Sequence, residues 1–357
     1  MWPKTRVTDR LEIDFPIVQA GMAGGATTPE LVAAVSNAGG LGTLGAGYMS
    51  PEQIRTAVGE IRKLTDRRFA VNLFVPEPIP EVDNEIENMN GILQPFRSEL
   101  GIDSTATVTK YAESFQEQLA VVIEERVPVF SFAFGIPTVE QLKALKENKI
   151  TVIGTATTVR EAVELEEKGI DLIVGQGSEA GGHRGTFLGS FDQALVGTMA
   201  LIPQIVDHVH IPVLAAGGIM DGRGIAAALA LGAEGVQMGT AFLTCSESGA
   251  HQKYKEALRE STDESTVVTR AFSGKPARGI KNRFISEMEP HRDKVPAYPI
   301  QNALTRDIRQ AAAKQNRPEY MSLWAGQASR LCDTKSASEL VADAADHTAR
   351  VLRQFSQ

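Results

Sequence analysis

The chain has 357 residues, 43% of them hydrophobic and 22% charged, the balance of a globular protein with enough apolar surface for a large core. Its 36 basic and 44 acidic residues give a net charge of −8 with no Lys/Arg run, which argues against a nucleic-acid or anionic-membrane surface. No apolar stretch approaches about 18 residues, the start MWPKTRVTDRLEID lacks the apolar centre of a secretory signal, and the isolated Cys245 and Cys332 supply neither a disulfide framework nor a metal site. The expectation is a cytoplasmic protein without a metal, with self-association into a homo-oligomer left open.

Eight short, almost continuously apolar runs follow one another at residues 17–22, 40–47, 69–75, 127–135, 151–157, 171–178, 212–219 and 235–243. They lack the alternation of a half-exposed sheet and read as strands covered on both faces. Helical patterns separate them at 29–37, 51–64, 138–148, 159–168, 194–208 and 222–231. Thr28-Pro29 and Ser50-Pro51 place a capping residue before a proline at the first helical position, and Gly169 and Gly232 follow helix ends. Eight strand–helix units in one run predict an α/β fold, a (β/α)8 TIM barrel over 1–245.

Two stretches depart from the repeat. Residues 76–126 separate the third and fourth strands and hold the Pro-rich acidic PEPIPEVDNE, then helix-like segments at 84–100 and 110–125; they read as an insertion capping the barrel. Residues 246–329 read as a small, mainly helical C-terminal subdomain on the substrate side, and 330–357 as a last helix packing on the barrel.

The glycines converge on function. Residues 1–50 and 169–249 carry 24 of the 32, whereas residues 250–357 hold only Gly274, Gly279 and Gly326. Glycine serves where backbone turns tightly or approaches a ligand, and barrel function belongs to loops after the strand C-termini. QGSEAGGHRG (176–185), leaving the sixth strand, sets four glycines around one carboxylate and one imidazole; His183 can exchange protons near neutral pH. AAGGIMDGRG (215–224) and GVQMGTAFL (235–243), at the seventh and eighth strands, have the character of a backbone phosphate site, which lets an acidic protein hold an anion. Asp221 and Arg223 read as residues of a helix start, and Cys245 as a small core residue.

Taken with QAGMAGG, VNLFVP, SGKPARGIKNRF and WAGQ, these strings run from residue 19 to 327, and the chain resembles the nitronate monooxygenase family, long called 2-nitropropane dioxygenase. The resemblance implies a barrel holding non-covalent FMN and the oxidative cleavage of alkyl nitronates, such as propionate 3-nitronate, by O2 to a carbonyl compound and nitrite. It also implies roles. Met22 would lie against the flavin ring, and Asn72 and Gln176 would bond its polar edge. Gly181 and Gly218 would give main-chain contacts, and Gln237, Met238, Gly239 and Thr240 would line the phosphate side. His183 matches the active-site histidine, either taking a proton from a neutral nitroalkane or, protonated, stabilising the nitronate. Lys275 and Arg278, beside Gly274 and Gly279, read either as facing an anionic substrate or as a solvated charged loop, and Tyr298 resembles a family tyrosine near the pocket. The alternative on the same barrel is an NAD(P)H-dependent flavin reductase of the enoyl-ACP or quinone reductase type.

Overall fold

The computed structural model describes residues 4–77, 83–103, 108 and 110–354, so residues 78–82 of the Pro-rich stretch lie outside the described residues. In chain order the described strands are β1 (Ile17–Gln19), β2 (Gly42–Gly45), β3 (Phe69–Phe74), β4 (Val129–Ala133), β5 (Thr151–Ala156), β6 (Leu172–Gln176), β7 (Gly182–His183), β8 (Val213–Ala216), β9 (Gly235–Met238), β10 (Thr266–Thr269) and β11 (Ala277–Ile280).

Eight of them form one parallel sheet in the order β1-β9-β8-β6-β5-β4-β3-β2. A parallel bridge between Val18 and Leu41 joins its two ends, carried by Leu41 N–H to the Ile17 carbonyl and Gln19 N–H to the Leu41 carbonyl, each 2.9 Å. The sheet is thereby a (β/α)8 barrel. Val18, Leu41, Ala70, Val129, Ile153, Leu172, Val174 and Leu214 fill its interior in one buried cluster with Val7 and Leu11 of the N-terminal helix Arg6–Leu11. Branched, apolar side chains are what a layered barrel interior requires.

The helices begin where the capping residues lie. Thr28 Oγ accepts from Leu31 N–H at 3.1 Å, and Ser50 and Gln53 form a reciprocal capping box. The eighth helical position of the barrel is taken by Ala337–Gln354, packed between helices Gly222–Ala230 and Pro29–Asn37.

Two departures from the sequence reading matter for the site. The eighth strand ends at Met238, and Thr240–Leu243 is a helical turn rather than strand; an apolar run has no period that separates the two. Residues 246–329 hold helices and also β10 and β11, which form an antiparallel sheet with β7 of the glycine-rich loop, a pairing that the reading of a mainly helical subdomain did not include. Within the insertion, helix Phe115–Glu124 packs on the barrel, whereas Leu93 and Phe96 of helix Asp83–Glu99 share a core with Phe272, Phe284, Ile308 and Tyr320. Buried Arg97 fastens that core, with Nε 2.8 Å from Asp307 Oδ2 and Nη2 2.9 Å from the Leu304 carbonyl.

Candidate active site

A cavity of about 800 Å³ opens over the C-terminal ends of the barrel strands, within the usual size of a cofactor site. Met22, Asn72, Gln176, Gly181, His183, Gly218, Gln237, Gly239, Thr240 and Tyr298 all line it. The two glycine-rich regions therefore meet in space.

One wall is main chain. Gly217 and Gly218 have φ of +113° and +71°, a conformation that a side-chain-bearing residue resists. A Cβ on Gly181 would stand 2.5 Å from the Gly326 nitrogen, so the 176–185 loop and WAGQ approach to a distance only glycine permits. Gly326 N–H donates to Thr240 Oγ at 3.0 Å and Gln327 N–H to the Glu179 carbonyl at 3.0 Å, which fixes that approach. The Glu179 carboxylate accepts from Thr198 N–H and Oγ–H, capping helix Thr198–Val206, whose N-cap residue Gly197 has no side chain to do so.

The opposite wall is aromatic. The His183 ring lies 5.3 Å from Trp324, 5.8 Å from Phe134 and 6.1 Å from Tyr298, centroid to centroid. Phe134, just beyond β4, adopts φ +78°, a strained state for an aromatic residue and of the kind that clusters at functional sites. It stacks on Phe74 at 4.6 Å and carries the Lys275 ammonium 4.7 Å over its ring.

His183 is held at both ends. Its backbone pairs with Ala277 of β11, and its Nε2 is 2.8 Å from Ser273 Oγ. Ser273 Oγ also lies 3.1 Å from the Lys275 carbonyl, which can only accept. With the hydroxyl proton on that carbonyl, the imidazole proton sits on Nε2 and Nδ1 is the acceptor. Burial, then the charges of Lys275 and Arg309, lower the His183 pKa to about 3, so the ring is neutral at physiological pH.

Several expected contacts are different in kind. Gln176 braces its own loop: Oε1 accepts from Gly185 N–H at 2.8 Å and Nε2 donates to the His183 carbonyl at 3.1 Å. Asn72 Nδ2 donates to Ser131 Oγ at 2.9 Å, leaving its oxygen for a ligand. Met238 does not line the cavity; one residue on from Gln237, it points to the other face and is buried with Val236 and Phe242. Lys275 and Arg278 do not line it either. Lys275 pairs with Glu77 at 2.7 Å, and Arg278 binds the Ser178 carbonyl and Thr266 Oγ. Asp221 and Arg223 are a helix cap and its ion pair. Cys245 is buried, its thiol pushed up to about 12 chiefly by that burial, and is no nucleophile.

Sequence reasoning missed Ser273, Tyr48, Trp324 as a ring neighbour of His183, and the pair Arg306 and Arg309. The strings SGKPARG and WAGQ pointed near two of them; no local signal marked the others.

A parallel barrel with a large cavity at its C-terminal rim, a glycine cradle on one side and a neutral histidine among aromatic rings on the other, has the site architecture of a (β/α)8-barrel enzyme. The model of the nitronate monooxygenase family matches residues 4–346. A probable nitronate monooxygenase of Staphylococcus aureus is 51% identical over 96% of this chain and 97% of its own length, and one from Staphylococcus saprophyticus is 51% identical over 94% and 95%. The chain belongs to the nitronate monooxygenase family and is an oxidoreductase. The solved nitroalkane oxidase of Streptomyces ansochromogenes superposes with a TM-score of 0.92 at 40% identity over 98% of this chain and 99% of that one. FabK from Thermotoga maritima superposes with 0.79 at 34% identity, covering 99% of each chain.

Proposed function

We propose that the protein oxidises alkyl nitronates, with propionate 3-nitronate as one substrate, using O2 and FMN and releasing a carbonyl compound and nitrite. The residues present fit the cofactor. The Gly217–Gly218 turn is a cradle that side chains would strain, and with Gly181, Gly239 and Thr240 it forms a wall suited to a phosphate. Met22 and the free oxygen of Asn72 face the same cavity and suit a flat heterocycle with a polar edge. FMN, when bound, supplies the electron-accepting chemistry that no side chain of this site has.

The chain's own part is binding, orientation and one proton. The neutral imidazole of His183, with Nδ1 free, is placed to accept the α-proton of a neutral nitroalkane; burial weakens it as a base, and the negative charge developing on the nitronate as the proton leaves offsets that. A nitronate has already lost that proton, so with it His183 orients rather than ionises. The aromatic wall excludes water from the reacting carbon. The observation that carries this reading is the convergence of Gly181, Gly218, Thr240 and His183 on one cavity in a chain matched by the family over 343 of its residues, 4–346.

The test is a steady-state assay with propionate 3-nitronate. Substrate-dependent O2 uptake with nitrite release is the expected result. NADH or NADPH oxidation without nitronate turnover would favour the reductase reading instead.

A further inference from the structure

Glu179 stands behind the glycine wall and does not itself line the cavity. Its carboxylate takes Thr198 N–H at 3.0 Å on Oε1 and 2.9 Å on Oε2, and the Thr198 hydroxyl at 2.8 Å on Oε2. That hydroxyl also lies 3.0 Å from the Gly217 carbonyl, so Thr198 links the carboxylate to the turn of the cradle. A Cβ on Gly217 would fall 2.8 Å from Thr198 Oγ, and one on Gly218 3.4 Å from Glu179 Cβ, so both side chains pack directly against the turn. The Glu179 carbonyl holds the other edge of the wall, accepting from Gln327 N–H at 3.0 Å. A carboxylate beside a wall suited to an anion repels that anion. Here its charge is engaged locally, by the positive end of helix Thr198–Val206 and by the nearby guanidinium groups of Arg184 and Arg278.

We infer that Glu179, acting through Thr198, is a positioning residue that sets the Gly217–Gly218 turn for the cofactor phosphate, so that an acidic side chain raises the affinity for an anion. The inference rests on the FMN reading of the cavity, with the phosphate at this wall. Without the carboxylate, the first N–H of helix Thr198–Val206 loses its acceptor and the Thr198 hydroxyl its charged partner. The turn then loses the two side chains that fix it. A main-chain anion site works only while its N–H groups are held in place, so the loss falls on the phosphate rather than on the ring.

The test is the affinity of the full chain for FMN and for riboflavin, which lacks the phosphate, titrated by flavin fluorescence after the resident chromophore is dialysed away. The parent should prefer FMN. Glu179→Ala should lose about 10- to 100-fold on FMN, for its charge-assisted hydrogen bonds, and change little on riboflavin. Glu179→Gln, which keeps an oxygen for Thr198 N–H, should recover part of the loss. Thr198→Val, which keeps the shape and the N–H but not the hydroxyl, should lose roughly 3- to 10-fold on FMN alone. Tighter FMN binding by Glu179→Ala, as bare repulsion would give, would overturn the inference. So would equal losses on both flavins, or a parent without preference between them. If Glu179→Ala does not fold, a parent-like preference in Thr198→Val would overturn it. A parent that binds neither flavin would count against the proposed cofactor, and calorimetry with inorganic phosphate would still decide the role of Glu179. Weaker phosphate binding by Glu179→Gln than by the parent would support that role, and equal or tighter binding would overturn it.

Discussion

His183 Nε2 and Ser273 Oγ stand 2.8 Å apart, although ninety residues separate them in the chain. With the serine hydroxyl donating to the Lys275 carbonyl, the imidazole donates through Nε2. Ser273 is thus a positioning residue for the histidine. Ser273→Ala should keep its flavin and lower kcat on a neutral nitroalkane by roughly tenfold, a lost hydrogen bond's worth. Ser273→Thr should recover much of it. An unchanged kcat in Ser273→Ala would remove this role.

His183→Ala should retain flavin and propionate 3-nitronate oxidation while losing most turnover of neutral nitroalkanes, typically 10²-fold or more for a lost general base. Parallel rate measurements on the two substrate forms check this. Equal rates on the neutral form would exclude proton transfer to His183.

The depressed pKa of His183, about 3 against 6.5, has a sign that can be tested. Between those values the unfolded chain binds a proton that the folded chain refuses. The stability the neutral ring permits is therefore fully present above about pH 6.5 and is lost as pH falls toward 3. Carbon-13 NMR of labelled histidine should find the His183 ring neutral from pH 8 down to about 5. A titration midpoint near 6.5 would contradict its burial among aromatic rings.

Gly218→Leu places a side chain at φ +71° on the cradle. Purified protein should carry much less flavin than the parent, measured as the ratio of visible to ultraviolet absorbance. Parent-like flavin content would move the phosphate elsewhere.

Asp307→Ala strips the carboxylate from buried Arg97, the joint between the insertion and the C-terminal region. Removing one partner of a buried pair should cost roughly 3 kcal/mol in denaturant unfolding. A cost of about 0.5 kcal/mol, that of an exposed pair, would show the joint to be incidental.

Much of this was legible in the chain. Eight apolar runs announced eight strands because both faces of a barrel strand are covered, and Gly217-Gly218 announced a turn only glycine tolerates. The end of the eighth strand was not, since GVQMGTAFL is apolar in strand and helical turn alike. Met238 was misplaced by one step of strand alternation. Lys275 and Arg278 looked like substrate ligands because charge beside glycine carries no record of its partners, here Glu77, Ser178 and Thr266. Ser273 meets His183, and Arg309 the cavity, only through tertiary contacts; SGKPARG pointed near the first, and no local signal marked the second.

The central claim is that FMN occupies the rim cavity beneath His183. A crystal structure of the protein purified with its chromophore tests it most directly. The expected map has the flavin ring against Met22 and Asn72 and its phosphate at Gly218 and Thr240. A colourless protein whose rim holds no density after FMN is added, or a flavin bound elsewhere, would contradict the account.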